Sequence, residues 1–312
     1  MIRPSDIATI PFDEWIDSFV KGFLVPNFRG FFHAVEVPVD GLMYWLNSFF
    51  NWIPMLVFAV IMALIAWRCA GRGNAIFAFL ALCFIDMIDL WSDTMTTLAM
   101  IVTAVVFCVV IGIPVGILAA GSDRFLRIIR PILDIMQTIP SFVYLVPIVM
   151  LFGVGSVPGI IATIIFALPP IIRLTNLGIR EVPADLVEAA DSFGSTRWQK
   201  LVEVQLPLAI RTIMAGLNQT LMLALSMTVI AALIGAGGLG LVVNTGLGRL
   251  DVGMATTGGI GIVILAIVLD RITQGLTEKR SPHSISLWQA FRSVIGAPAP
   301  RHAKARLTEK VG

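Results

Sequence analysis

EVPADLVEAADSFGSTRWQKLVEVQLP, residues 181–207, is a polar island in an otherwise apolar chain. It carries Glu181, Asp185, Glu188, Asp191, Arg197, Lys200 and Glu203, with Arg173, Arg180 and Arg211 at its borders. On either side lie long runs without a single charge, Ile135 to Ile172 and Thr212 to Gly248. Such runs are membrane-type sequence, and a charged island between them is a segment displayed to water.

The island has its own local grammar. Pro183 fits the first turn of a helix, where a missing N–H costs nothing. Leu186, Val187, Ala189, Ala190 and Phe193 supply a partly apolar face. Gly194 fits the end of that helix, where a positive φ is usual. Ser195 or Thr196 can cap a second short helix, WQKLVEVQ, and Pro207 is expected to end it. The prediction is a helix, a sharp turn and another helix, all outside the bilayer.

Composition agrees. Of 312 residues, 57% are hydrophobic and 13% charged, which fits a polytopic all-α membrane protein and no soluble domain. Cys69, Cys83 and Cys108 are scattered through apolar segments, so neither a disulfide framework nor a metal site is expected. His33, His283 and His302 lie far apart, and no catalytic set converges. No cofactor and no nucleic-acid partner is expected. The amino terminus lacks the pattern of a cleavable signal peptide. None of the five lysines, Lys21, Lys200, Lys279, Lys304 and Lys310, precedes Ser or Thr, so no phosphate-cradling Walker loop is present. If this chain serves ATP-driven transport, the ATPase is another polypeptide.

Residues 1–50 read as an amphipathic segment. Phe12, Trp15, Ile16, Phe19, Val20, Phe23 and Leu24 recur at helical spacing, with Asp13, Glu14, Asp17, Ser18 and Lys21 opposite. Lying in the membrane interface and packing on the protein itself are both open. Val39 to Phe50 follows, with Tyr44 and Trp45 as interfacial anchors. About seven spans are then expected, within a membrane-spanning region over 51–275: about 52–67, 74–91, 94–120, 132–152, 157–179, 208–234 and 253–272. Ser92, Asp93 and Thr94 are capping candidates for the third. A basic tail follows over 276–312.

Charge orients these spans. With an odd span number and the amino terminus outside, the outer segments hold only Arg3, Lys21, Arg29 and Arg249 of the 22 Lys and Arg. That positive-inside bias places the island and the carboxyl terminus in the cytoplasm.

Several other features are weighed against plain packing. Gly235-Ala236-Gly237-Gly238-Leu239-Gly240 matches G-x-G-x-x-G but follows an apolar helix, so a tight turn is the reading. Gly112, Pro114, Gly116, Pro140, Pro147, Pro169 and Pro170 disturb spans three to six, as close helix contacts or as a transport path require. Asp134, Asn218, Gln219, Ser226, Met227 and Asn244 are polar or soft groups in or near spans. Asn218, Gln219, Ser226 and Met227 are the candidates to line a translocation path. Interhelical hydrogen bonding is the competing role.

The island resembles the EAA loop of ABC-importer permeases. Glu188-Ala189-Ala190 is followed by Gly194, then Val204, Leu206 and Pro207 at the spacing of that loop, with Val204 where Ile is commoner. The runs QTIPSFVYLVPIVMLFGVGSVPGIIATIIFALPPIIRLTNLGIREVP and MAGLNQTLMLALSMTVIAALIGAGGLG look like the glycine betaine/proline betaine branch of that superfamily, over roughly residues 10–275. Arg211 departs from it, standing where relatives usually carry Pro. The resemblance implies a type I ABC-importer permease in a bacterial plasma (inner) membrane. It implies a permease homodimer, two ABC ATPase subunits and a periplasmic or extracellular substrate-binding protein. Glu188, Ala189, Ala190, Gly194, Val204, Leu206 and Pro207 would couple the chain to the ATPase. The solute would be glycine betaine, proline betaine, choline or a related quaternary ammonium osmolyte. Another small solute of the same superfamily, or a secondary transporter, is the alternative.

Overall fold

A computed structural model describes residues 25–278, together with Glu14, Trp15, Ser18, Gly22 and Phe23. The amphipathic segment expected over 12–24 falls largely outside the described residues, as does the basic tail beyond Glu278.

Every regular element among the described residues is helical. In chain order they are α1 (Val25–Trp52), α2 (Met55–Ala70), α3 (Arg72–Met87), α4 (Trp91–Gly121), α5 (Asp123–Thr138), α6 (Ser141–Phe152), α7 (Ser156–Arg180) and α8 (Ala184–Ser192). Then come α9 (Arg197–Ile234), α10 (Leu239–Gly248) and α11 (Val252–Glu278).

Among the described residues, four helices are long and apolar enough to cross a membrane: α4, α7, α9 and α11. Two bent pairs raise the number to six if each counts as one span. The difference from the expected seven has two local causes. The predicted fourth span breaks into α5 and α6, which meet at 99°. Pro140 pushes Ile139 out of the helical region to ψ 126°, so the helix stops there. The predicted second span becomes α3, whose 16 residues reach only about 24 Å. That falls short of a hydrocarbon core of ~30 Å. The predicted first span is α2, which turns 104° away from α1 at Pro54. α4 begins at Trp91, and none of the three expected residues caps it. The Thr94 hydroxyl instead donates to the Leu90 carbonyl at 2.7 Å.

α7 is the hub, with 61% of its apolar window buried against 22% for α11. Small residues let its neighbours approach. On α4, a side chain at Gly116 would meet Thr175 and the Ile172 carbonyl of α7. On the opposite side, Gly178 of α7 abuts Thr212 and Ala209 of α9, and Gly216 of α9 abuts Leu174. Helices in lipid associate through such close van der Waals contact, since no hydrophobic gain separates helix from tail. Ile171, Ile172, Ile179, Ala209, Ile213 and Leu225 fill the resulting core.

α1 packs Val39, Met43 and Leu46 on Ala99, Met100 and Ala104 of α4. Tyr44 and Trp45 face outward, as interfacial anchors should. Apolar side chains also cover the outside: Val57 and Val60 of α2, Leu80 of α3, Val110 of α4, Val143 and Val146 of α6, and Val263 of α11. Water would penalise so large a contiguous apolar surface, and a bilayer solvates it. The glycine-rich stretch 235–240 is a tight turn, with positive φ at Gly235 and Gly238. Its end is tied to α4 by the Leu239 N–H donating to Thr97 Oγ1 at 2.8 Å.

A candidate coupling site

The polar island folds as an elbow between α7 and α9. Val182 is buried, and Pro183 sits just before α8 with ψ 132°. It therefore precedes the first turn that the sequence reading gave it. α8 spans nine residues, and it ends in a turn closed by two main-chain bonds. The Gly194 N–H donates to the Asp191 carbonyl, and the Ser195 N–H to the Ala190 carbonyl, both at 3.0 Å. This Schellman pattern needs a left-handed residue, and Gly194 supplies it at φ +77°. Thr196 then starts the next helix with a reciprocal capping box, its side chain on the Gln199 N–H and the Gln199 side chain on the Thr196 N–H.

Pro207 does not end that second helix. α9 runs without a break for 38 residues, from Arg197 to Ile234, through Pro207 and on into the predicted sixth span. The reason lies one turn earlier, where Lys200–Gln205 adopts the wider π-helical winding. Proline lacks the N–H for an α-helical bond, and its ring crowds the carbonyl four residues back. A wide turn just before it moves that carbonyl aside. The loop thus runs without interruption into a membrane-crossing helix.

The seven motif residues divide by direction. Glu188, Ala189, Gly194 and Pro207 are exposed, whereas Ala190 is buried and Val204 and Leu206 are half-buried. Leu201 and Leu206 pack against the main core, so the far end of the motif anchors the elbow. The outward end carries large apolar side chains. Phe193 is 91% exposed and Trp198 is 71% exposed, on the two flanks of the Gly194 turn. Leu186 is exposed on α8 as well. Exposed aromatic side chains at a polar-rimmed turn are typical interface anchors. Phe193, expected on the apolar face of the first helix, instead stands exposed at its C-cap, and Trp198 stands exposed at the start of the second.

The four path candidates do not share one surface. Gln219 and Ser226 are exposed on α9, on a stripe with Arg211, Ala215 and Met222. Met227 points away from it and is fully buried against Leu145, Ile148 and Ala162. Asn218 faces α11, where its Nδ2 donates to Asp270 at 3.1 Å and its Oδ1 accepts from the Thr273 hydroxyl at 2.7 Å. Gln274 donates to both Asp270 oxygens, at 2.7 and 2.8 Å. Asn218 is therefore an interhelical tie. Asp270 escaped the sequence reading, though an acid inside an apolar helix is itself a signal. Asp134 pairs with Arg173 at 2.6 Å, and Asp123 with Arg180 at 2.7 Å. Both pairs clamp α5 to α7 at the end from which the elbow emerges. Among the described residues, no group of three or more His, Cys, Asp or Glu could hold a metal ion.

Comparison with known proteins bears on this geometry. The family described as binding-protein-dependent transport system inner membrane component matches residues 112–281. The glycine betaine/proline betaine transport system permease protein ProW of Escherichia coli (strain K12) is 55% identical over 276 residues, 88% of this chain and 78% of the relative. The glycine betaine transport system permease protein OpuAB of Bacillus subtilis (strain 168) is 46% identical over 277 residues, 88% of this chain and 97% of the relative. Among solved structures, an inward-facing form of the MetNI methionine ABC transporter superposes with a TM-score of 0.54 at 25% identity. That match covers 64% of this chain and 98% of the other.

Proposed function

The chain belongs to the family of binding-protein-dependent transport system inner membrane components, and from that premise we propose that it is the permease of an ATP-driven importer for glycine betaine, proline betaine, choline or a related quaternary ammonium osmolyte. The solute class rests on the relatives at 55% and 46% identity, whose names carry glycine betaine. The mechanism rests on one structural observation, the unbroken passage of the elbow into α9.

In this reading α8 docks in a groove of a cytoplasmic ATPase subunit, with Glu188, Ala189 and the Gly194 turn at the contact and Phe193 and Trp198 as apolar anchors. Ala190, Val204, Leu206 and Pro207 hold the elbow to its span. When ATP draws two such subunits together, each α8 moves and α9 moves with it. A helix of 38 residues is about 57 Å long, enough to carry that displacement through the membrane. Two copies of the chain assemble around the path, and the exposed stripe with Gln219 and Ser226 faces it. A substrate-binding protein delivers the solute to the side opposite the elbow. ATP hydrolysis belongs to the partner, because none of the five lysines sits in a Walker loop.

The test is reconstitution of this chain in proteoliposomes with its ATPase and binding protein. ATP-dependent uptake of labelled glycine betaine, in competition with choline or proline betaine, is expected. The purified chain alone should show no ATP hydrolysis. Uptake of amino acids or sugars only would overturn the solute assignment, and hydrolysis by the lone chain would overturn the division of labour.

A further inference from the structure

The elbow has two soft joints. One is the Gly194 turn, whose left-handed backbone has open space around it. The other is the π-helical stretch Lys200–Gln205, where the winding departs from the α-helix. A lever with two soft joints transmits a push poorly unless something fixes the angle between them. One side-chain contact spans them. Lys200 Nζ lies 2.8 Å from both carboxylate oxygens of Asp191. Asp191 belongs to the last turn of α8, and Lys200 is the first residue of the wide stretch. The pair therefore closes a triangle across the Gly194 turn.

Position makes this pairing informative. An acid in the last turn of a helix opposes the negative end of the helix dipole. Asp191 is tolerated there because a cation reaches back to it. Lys200 is drawn in tightly, with its side chain only 21% exposed against 52% for Asp191. An exposed pair of this kind contributes little to global stability. What it can do is choose one elbow angle among those that the two joints allow.

We propose that Asp191 and Lys200 form a strut that sets the angle between α8 and α9, and so positions the docking helix for coupling to ATP hydrolysis. Neither residue belongs to the motif that identifies the loop. The inference rests on the reading of α8 as the ATPase-docking helix. Only the main-chain carbonyl of Asp191 takes part in the Schellman turn, so a side-chain exchange leaves that turn intact.

The experiment compares Asp191→Asn, Lys200→Gln, Lys200→Arg and the charge-swapped D191K/K200D with wild type. Each is assembled with the ATPase and binding protein in proteoliposomes at matched abundance. Two quantities are read: glycine betaine taken up per ATP hydrolysed, and stimulation of ATP hydrolysis by the binding protein. We expect each neutralising variant to lower both by about fivefold or more, the lower end of typical coupling between sites. The swap should restore both to within about twofold, since a pairwise interaction is what a double-mutant cycle isolates. Lys200→Arg should stay near wild type. Unchanged values in the neutralising variants would overturn the strut. A swap as impaired as the single variants would also overturn it, and would mean that the two residues act separately on the ATPase. A wild-type assembly that fails to take up glycine betaine while the binding protein still stimulates ATP hydrolysis strikes the solute assignment alone, and the strut is then judged on the stimulation readout.

Discussion

Gly194 is the residue on which the elbow turns. Its φ of +77° is a left-handed conformation, and no atom lies within 4 Å of where a side chain would begin. A substitution there meets a backbone cost and no clash. For an L-residue that cost is about 1–2 kcal/mol, and a β-branched side chain is the worst case. Gly194→Val is thus expected to insert and accumulate normally while tilting α8 against α9. Uptake per ATP hydrolysed, at matched membrane abundance, should fall, or the ATPase should be lost on purification. Full uptake at the wild-type ratio would make the elbow a passive loop. Glu188→Ala should be milder, because an exposed carboxylate is commonly worth only ~0–1 kcal/mol. Glu188 is the residue that makes the motif visible, and Gly194 is the one whose geometry has no substitute.

At the scale of elements, α9 is governed by two neighbours that differ in kind. Its contact with α7 is mainly steric, through Gly178, Ala209 and Gly216, with one hydrogen bond from the Thr220 hydroxyl to the Ala167 carbonyl at 3.0 Å. Its contact with α11 is polar, through Asn218, Asp270 and Thr273. Asn218→Leu should loosen α11 while leaving α7 in place. Asp270 keeps its bonds from Gln274, so the expected loss is ~1 kcal/mol, at the low end for a polar group left partly unpaired. Membrane hydrogen bonds average nearer ~0.6 kcal/mol, which sets the floor. Thermal unfolding in detergent should show the lower midpoint, and N218L/D270L should lower it further, because Gln274 then loses the two bonds that it donates to Asp270. An unshifted midpoint for Asn218→Leu would mean that the tie is incidental. Much of the element layout was legible beforehand. α4, α7 and α11 lie within a few residues of their predicted spans, since long apolar runs leave little freedom. The 99° bend at Ile139 was not foreseen, although Pro140 announced a break. Sequence shows where a helix must stop but not the direction in which the chain leaves.

The whole molecule is read through its charge. In the seven-span arrangement expected from the sequence, only four of the 22 basic residues would fall on the side away from the elbow. Leu250, in the turn before α11, and Phe193, in the elbow, are both highly exposed, at 88% and 91%. They should therefore lie on opposite sides of the membrane, Phe193 in the cytoplasm. Single cysteines at these two sites, in a background without Cys69, Cys83 and Cys108, test this. An impermeant thiol reagent added to intact cells should label the Leu250→Cys protein, and the Phe193→Cys protein only after permeabilisation. Labelling of both from one side would require a different number of crossings between them, and α9 would no longer be a lever between two compartments.

What the sequence by itself determined is local or summed. Composition established a membrane protein, the uncharged runs placed the main helices, and the spacing from Glu188 through Gly194 to Pro207 marked the elbow. These properties depend on near neighbours or on totals, so they survive without coordinates. What only the tertiary structure decided depends on contacts between distant residues. Pro207 reads as a stop, yet the helix passes through it, because a wide turn relieves its ring while Leu201 and Leu206 pack on the core. Met227 and Ser226 are adjacent in the chain, yet one is buried against α6 and α7 and the other is exposed. Asn218 and Asp270 are 52 residues apart and meet because α11 packs alongside α9. Partners at that separation are chosen by packing, which no local pattern encodes.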